Sequence, residues 1–419
     1  MEPWSVSQLR ELAALSGSAA MAFSFRSAQS LALLDLTRDQ SMAVKMEDVG
    51  SLNAKGQLAY ALGKLLGGPV VDACGGAKSL VAILVMLSGS FAAMARCQAA
   101  GAKLLGSFAT ARFATAAVWT SCAVALRSSF SQHGLAQALS LGQVAMRLGA
   151  SFGSMLGGLL LSRLGSWRRL LMAYAGLGTA TGLLLFLRLS MQASHDPTGP
   201  VDLSTKLDTS AKAALGRTLA IAARTPRLWL LFASTTMITP TFDFVALLPQ
   251  FLNDVYKMND VKIGSLAAAF PLSAPPAILL AGAMLPKVSP SGKAASLLVA
   301  QSASAMAFFL LSKQPAPELL MPALVTISGG SAPALSCVPP DWIMRWGGPR
   351  AGLFAGLHDV PGNLLAMWIY SKVPQLLRRG GWTLVLRLYG VQVALGALCL
   401  ALFQAIEAAE PTRDSPFAA

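Results

Sequence analysis

Twelve apolar windows, each about as long as a bilayer is thick, constrain the fold of this chain more than any other feature. A helix needs roughly 20 apolar residues to cross a membrane. Six windows precede residue 190 and six follow residue 227, near 12–34, 52–72, 79–98, 104–126, 138–161, 169–189, 228–252, 263–286, 294–312, 317–338, 351–371 and 382–405. Lipid offers no partner for backbone N–H and C=O groups, so such runs cross it as helices. The sequence predicts an all-α, polytopic membrane protein with twelve transmembrane helices.

The composition excludes a soluble fold and argues against nucleic acid as a partner. Of the 419 residues, 54% are hydrophobic and 12% charged, whereas soluble domains carry about 25% charged residues. The net charge is +14, but the basic residues are scattered over short connections without a long run or interleaved aromatics. Attraction to anionic lipid headgroups explains that charge. We expect the lipid bilayer, and no nucleic acid, as a partner.

One hydrophilic segment divides the chain into two halves. Ser190 to Arg227 contains polar and turn-forming residues and is the only long connection of this kind. We predict pseudo-symmetric six-helix bundles at 1–189 and 228–419, the second with a short C-terminal tail, and a linker at 190–227. The second part of the linker, 211–223, has the pattern of an amphipathic surface helix. The positive-inside rule places this basic linker in the cytoplasm.

The reactive residues do not indicate an enzyme, a metal site or a cofactor. Five cysteines lack paired spacing, and the three histidines, His133, His195 and His358, lie far apart. No nucleophile–base constellation or phosphate-cradling loop is evident. The N-terminus lacks the basic start and short apolar core of a signal peptide, so we expect the first span to act as an uncleaved insertion signal. We expect a monomer.

The stretch from Tyr60 to Lys78 carries the most local information. The second span contains Lys64, where a buried charge requires a function or a partner. The pattern predicts that this helix ends at Asp72 and is followed by a tight turn of Gly75 and Gly76 that closes on Lys78. Such a charged turn can brace helix ends at the membrane surface.

These features resemble the major facilitator superfamily. Its signature between spans 2 and 3 is matched at Gly68, Asp72, Gly75 and Lys78, while Ala73 replaces a basic residue. In the second half, Pro286 stands where the repeated signature has an acid. The fifth span resembles a glycine-rich antiporter pattern, with Ser154 in place of proline and glycines at Gly149, Gly153, Gly157 and Gly158. The resemblance implies alternating access, with the solute held between the halves near the midplane.

The first half also resembles the organophosphate:phosphate antiporter branch, represented by the glycerol 3-phosphate transporter. The segment FSFRSAQSLALLDL around Arg26 is similar to its first helix, AYALGKLLGG around Lys64 to its second, and the segment from Trp119 to Cys122 to the end of its fourth. In that branch, arginines on spans 1 and 7 receive the phosphate. The second of these falls here at about Thr241, with Asp243 nearby.

Four residues are the candidate substrate contacts: Arg26, Lys64, Trp119 and Arg147. An arginine fork can hold a carboxylate or phosphate through two hydrogen bonds. Arg26 has the alternatives of a structural pair with an acid such as Asp35 or Asp243 or of snorkelling to a nearby headgroup, and Lys64 that of bracing Asp72. Arg112 on the fourth span is a further inward-facing candidate.

Three titratable residues, Asp243, His358 and Asp359, are the candidates for proton coupling. An acid in the bilayer can take up a proton because burial disfavours its charged form. Alternatively, Asp243 neutralises Arg26 across the two halves.

Taken together, these residues predict a secondary active transporter of a small organic anion, phosphorylated or not, driven by exchange or proton coupling. Two alternatives stay open. One is a facilitator transporter of a neutral or lipophilic solute in which Arg26 is structural. The other is a non-transporting, transporter-like sensor, which the altered signatures at Ala73 and Pro286 favour.

Overall fold

A computed structural model describes residues 4–130, 132–193, 225–336, 338 and 351–409 of the chain. Fourteen α-helices and no strand occupy these ranges. In chain order they are α1 Val6–Arg38, α2 Met46–Cys74, α3 Gly76–Ala95, α4 Ala102–Ala116, α5 Val118–Ser129, α6 Gln132–Leu164, α7 Trp167–Ala193, α8 Pro226–Asp243, α9 Leu248–Tyr256, α10 Asp260–Leu272, α11 Ala274–Met284, α12 Pro290–Ser312, α13 Leu320–Ser336 and α14 Ala351–Ala409.

Each predicted apolar window overlaps helix. Within the described ranges, nine helical stretches are long and apolar enough to cross a membrane. The last of them, His358–Ala409, contains non-helical backbone at Gly380 and Gly381 and therefore forms two spans. The first two helices, α1 and α2, are outside these nine, and they carry the intramembrane charges Arg26 and Lys64. The prediction of an all-α polytopic membrane protein is confirmed.

Three spans are built from two helices each. The fourth breaks at Ala117, between α4 and α5, and the eighth at Ser273, between α10 and α11. In the seventh, a short 3-10 turn, Phe244–Ala246, separates α8 from α9. Proline lies within the first two positions of both α9 and α11, where its missing N–H costs nothing. Such breaks persist in a membrane where neighbouring helices satisfy the freed backbone groups.

The turn after the second span is tighter than predicted. The helix does not end at Asp72 but continues to Cys74, and α3 begins at Gly76. Gly75 alone makes the turn, with a φ of 84°, a conformation that costs other residues steric strain. Gly76 belongs to α3 because it packs against α5: an added Cβ would overlap the backbone of Ala125.

The most extensive contacts between the two halves are those of α2 with α14 and of α6 with α10. We call the end of the bundle opposite the predicted linker the linker-distal end. There Arg38, which ends α1, pairs with Asp260 at 2.6 Å, and Arg378 on α14 pairs with Glu47 on α2. Both ion pairs join the first half to the second. The halves are therefore in contact at the linker-distal end.

Glycine allows the closest approach between the halves. A Cβ added to Gly158 on α6 would lie 2.6 Å from the Asp260 carbonyl oxygen and 2.9 Å from the Gly264 Cα. Gly149, Gly153 and Gly157 face α1 instead, where an added Cβ would crowd the backbone or side chains of that helix. The glycine pattern of the fifth span therefore packs α6 against both α1 and α10.

A polar cluster ties the end of α1 to the start of α7. The Asp39 carboxylate accepts hydrogen bonds from the Ser41 backbone N–H and hydroxyl, from Trp167 Nε1 at 2.9 Å and from Arg168 Nη1 at 2.8 Å. The bonds from Ser41 and Trp167, followed by Arg168, hold the pKa of Asp39 well below its usual range. The neighbouring Asp35 accepts a bond from the Trp167 backbone N–H at 2.9 Å.

The predicted linker lies largely outside the described residues. Helix α7 ends at Ala193 and α8 begins at Pro226. The amphipathic helix predicted at 211–223 and His195 fall between them. The division at 190–227, the two-bundle boundaries and the cytoplasmic orientation stay predictions.

Candidate functional site

Six charged side chains of the apolar helices form a group with members from both halves. The first half contributes four cations and the second half two carboxylates: Arg26 on α1, Lys64 on α2, Arg112 on α4, Arg147 on α6, Asp243 on α8 and Asp359 on α14. We call these six residues the central cluster. Charges within apolar helices are costly and mark functional positions.

Arg26 is paired across the halves with Asp243. The Arg26 side chain is 13% exposed and that of Asp243 5%. The second carboxylate oxygen of Asp243 accepts a bond of 2.7 Å from Gln57 Nε2, and the backbone carbonyl of Asp243 accepts one of 2.6 Å from the Tyr370 hydroxyl. Of the partners considered for Arg26, Asp243 is the one in contact. This carboxylate therefore joins α1, α2 and α8.

Lys64 is also paired across the halves. Its Nζ lies 3.0 Å from Asp359 Oδ2, and the other oxygen of Asp359 lies 3.2 Å from His358 Nδ1. The side chain of Asp72, the alternative partner for Lys64, is outside the described residues. His358 is 5% exposed, and its Nε2 has no hydrogen-bond partner in the described part of the chain. The three candidates for proton coupling are thus all engaged with the cationic first half or with each other.

The two other arginines contact aromatic rings instead of acids. The Arg147 guanidinium lies 4.4 Å from the centre of the Phe242 ring, and that of Arg112 lies 5.4 Å from the Phe108 ring. Neither has a carboxylate within ion-pair distance among the described residues. Arg112 is 2% exposed, and its Nε and Nη1 have no hydrogen-bond partner there.

The Tyr60 ring lies close to both Arg26 and Lys64, a position that the sequence pattern does not indicate. Its ring is 5.6 Å from the Arg26 guanidinium and 5.8 Å from Lys64 Nζ, and it also interacts electrostatically with Arg112 and Arg147. The spacing of Gln57, Tyr60 and Lys64 is three and four residues, which places them on one face of α2. That spacing was the available signal, but a neutral tyrosine in an apolar helix does not stand out.

The central cluster has an excess of positive charge. Two of its four cations are neutralised by carboxylates, and for the other two the described part of the chain supplies none. Arg26 interacts electrostatically with both Arg112 and Arg147. The two unpaired arginines therefore contribute to one positive region of the cluster. Such a site attracts an anion.

One predicted substrate contact, Trp119, is not among these six residues. Trp119 is half-buried at the start of α5 and packs against the hydrophobic core. Thr241, which stands in place of the expected arginine, is 1% exposed, and its hydroxyl is without a partner in the described ranges. Of the loop signature, Lys78 is exposed and Gly68 lies inside α2. The described residues contain no group of three or more His, Cys, Asp and Glu that could hold a metal ion.

Comparisons with known proteins agree with this architecture. A sequence profile described as the Major Facilitator Superfamily matches residues 15–367. Among solved structures, a bacterial homologue of the human lysosomal transporter Spinster, inward-facing and unoccupied, superposes with a TM-score of 0.69 at 14% identity, covering 97% of this chain and 96% of that one.

A D-xylose–proton symporter superposes with a TM-score of 0.70 at 13% identity, covering 94% of this chain and 97% of that one. At such low identity these likenesses show the fold alone. Comparison with curated proteins gave no significant match.

Proposed function

Because this chain belongs to the major facilitator superfamily of membrane transporters, we propose that the solute it carries by alternating access is a small organic anion. The observation that supports this solute class is the excess of two positive charges in the central cluster, formed by Arg112 and Arg147. A buried charge without a partner is costly. A carboxylate or phosphate bound among these side chains would offset that cost.

Exchange is the coupling mode that this charge balance favours. In an empty carrier, the unpaired arginines would have to pass through an occluded, weakly polar state without a counter-ion. A bound anion reduces their charge, so the loaded carrier changes conformation more readily than the empty one. This asymmetry is the physical basis of an antiporter.

The two ion pairs of the cluster would couple solute binding to the movement of one half against the other. Arg26–Asp243 and Lys64–Asp359 each join one half to the other. An anion that attracts Arg26 or Lys64 competes with these carboxylates, and a proton on Asp243 or Asp359 would release its cation. Proton coupling at Asp243, His358 and Asp359 is therefore compatible with the same site.

Counterflow in liposomes tests the proposal. Purified protein would be reconstituted in vesicles, and uptake of labelled inorganic phosphate, succinate, lactate and D-xylose would be compared in empty and preloaded vesicles. We expect uptake of at least one anion, faster when the vesicles are preloaded with that anion. Uptake of xylose without any anion would favour the neutral-solute alternative, and absence of all uptake would favour the sensor.

A further inference from the structure

The cations of the central cluster fall into two classes. Arg26 and Lys64 are each neutralised by a carboxylate of the opposite half. Arg112 and Arg147 contact aromatic rings and have no carboxylate within ion-pair distance among the described residues. A cation already paired with a carboxylate must lose that pair before it binds another anion, whereas an unpaired cation has no such pair to lose.

Arg112 is the more deeply buried of the unpaired arginines. Its side chain passes α2 at Gly56, where an added Cβ would lie 3.1 Å from the Arg112 Cγ. The same Cβ would meet the Phe108 ring first, at its Cε1. Arg112 also interacts electrostatically with Arg26 and Tyr60. The packing leaves Arg112 only 2% exposed, and its Nε and Nη1 have no acceptor among the described residues. Buried donors of this kind are otherwise satisfied in native proteins.

On the basis of the proposed function, we propose that Arg112, together with the Tyr60 hydroxyl, is the primary receptor for the anionic group of the solute. Arg26 and Lys64 instead hold the two halves together through Asp243 and Asp359. The solute would be an anion with at least one carboxylate or phosphate group. This assignment differs from the sequence prediction, which counts Arg26 and Lys64 among the substrate contacts and gives Arg112 only as a further candidate.

A structural role for Arg112 and a receptor role have opposite consequences for stability. If Arg112 holds the helices together, its removal destabilises the protein. If it is an unpaired charge held for the solute, replacing it with a neutral side chain of similar length removes a desolvation cost and stabilises the empty protein. The sign of the change in melting temperature therefore separates the two roles without any transport measurement.

Thermal unfolding of the full chain in detergent provides the test. The variants would be Arg112→Met, Arg26→Met, Tyr60→Phe and, as a matched control, Arg127→Gln, which changes an exposed arginine of α5. Each would be measured alone and with saturating inorganic phosphate, succinate or lactate. A bound anion raises the melting temperature of the folded protein by mass action.

We expect Arg112→Met to raise the melting temperature of the empty protein by about 1–4 °C and to abolish the rise caused by the anion. Arg26→Met should lower the melting temperature, because Asp243 is left buried without its cation. Tyr60→Phe should weaken anion binding by about ten-fold, the value of one hydrogen bond to a charged group. Arg127→Gln should match the wild type in both measurements.

Two results would overturn the assignment. If Arg112→Met lowers the melting temperature and keeps the anion-dependent rise, Arg112 is structural and the solute binds elsewhere in the cluster. If the wild type itself shows no rise with any anion and transports none, the proposed function fails, and the receptor assignment fails with it. If both the wild type and the Arg112→Met variant respond to an anion, only the receptor assignment has failed. If the wild type does not respond, the proposed function has failed as well.

Discussion

Asp243 joins α8 to side chains of three other helices. Its carboxylate contacts Arg26 and accepts a 2.7 Å bond from Gln57, and its backbone carbonyl accepts one from Tyr370. Asp243→Asn would keep the shape but leave Arg26 charged without a counter-ion. Breaking a buried pair in this way costs about 3–5 kcal/mol, so we expect a lower melting temperature and loss of transport.

The double variant Arg26→Gln/Asp243→Asn controls for this effect. It removes both charges, so it should recover most of the lost thermal stability while remaining inactive in counterflow. A double variant as unstable as Asp243→Asn alone would show that Arg26 is not the group that Asp243 neutralises.

The lowered pKa of Asp39, at the linker-distal end, predicts that the stability of the protein depends on pH. Since hydrogen bonds in the folded state lower its pKa, its contribution to stability is fully present above the pKa of the unfolded state, roughly 3.9. That contribution is lost as the pH falls toward the lower folded-state pKa. Asp39→Asn should therefore lower the melting temperature at pH 7, and the difference from the wild type should shrink toward pH 3. A difference that stays constant over this range would contradict the account.

The residues that the sequence could identify are those whose chemistry is unusual for their surroundings. Arg26, Lys64 and Asp243 stand out because charge is rare inside apolar helices. Tyr60 and Gln57 do not stand out, since both are compatible with ordinary helix packing. Whether Asp243 or Asp35 pairs with Arg26 depends on distances between helices, and the amino-acid sequence does not give these distances.

At the scale of the helices, the glycine contact between α6 and α10 determines how closely the halves approach. A methyl group at position 158 would meet the Asp260 carbonyl oxygen at 2.6 Å and the Gly264 Cα at 2.9 Å. Both are backbone atoms that cannot rotate away. We expect Gly158→Ala to disfavour the state closed at the linker-distal end by about 1–3 kcal/mol, the usual cost of overpacking.

The measurement is the distance between spin labels at exposed sites of the two halves, Lys45→Cys and Lys313→Cys, after the native cysteines have been replaced. Gly158→Ala should broaden or lengthen this distance. Gly176→Ala on α7 is the matched control, because an added Cβ there has open space. Equal distance distributions in the two variants would show that the α6–α10 contact does not limit closure.

The helices themselves were largely predictable, because length and apolarity decide which segments cross a membrane. Their joints were not. The pattern placed two glycines in the turn after α2. In the structure Gly75 alone forms the turn, and Gly76 is the first residue of α3 and packs against α5. The glycines of the fifth span were visible as a motif, but their contact surfaces on α1 and α10 required the fold.

At the scale of the whole molecule, two ion pairs help to close the linker-distal end: Arg38–Asp260 and Arg378–Glu47. Their side chains are partly exposed, so each contributes about 0.2–1 kcal/mol and is screened by salt. The combined variant Arg38→Gln/Arg378→Gln should shift the population toward separation at this end, and higher ionic strength should do the same to the wild type.

The label pair at positions 45 and 313 also reports this change, and Arg127→Gln is again a suitable control. A distance distribution that responds to neither the double variant nor salt would indicate that packing alone, through contacts such as Gly158 with Gly264, maintains the closure.

The six-plus-six arrangement and the superfamily were accessible from sequence. The closed end was not, because it depends on residues from distant parts of the chain.

The single-residue joint at Gly75 has a mechanical consequence. Helix α2 carries Gln57, Tyr60 and Lys64, and one residue connects it to α3, whose surface includes the exposed Val85 and Met86. A single residue leaves little slack between the two helices, so we expect a tilt of α2 to be passed on to α3. Bilayer thickness, which sets the cost of tilting a spanning helix, would then contribute to the energy of any conformational change that tilts α2.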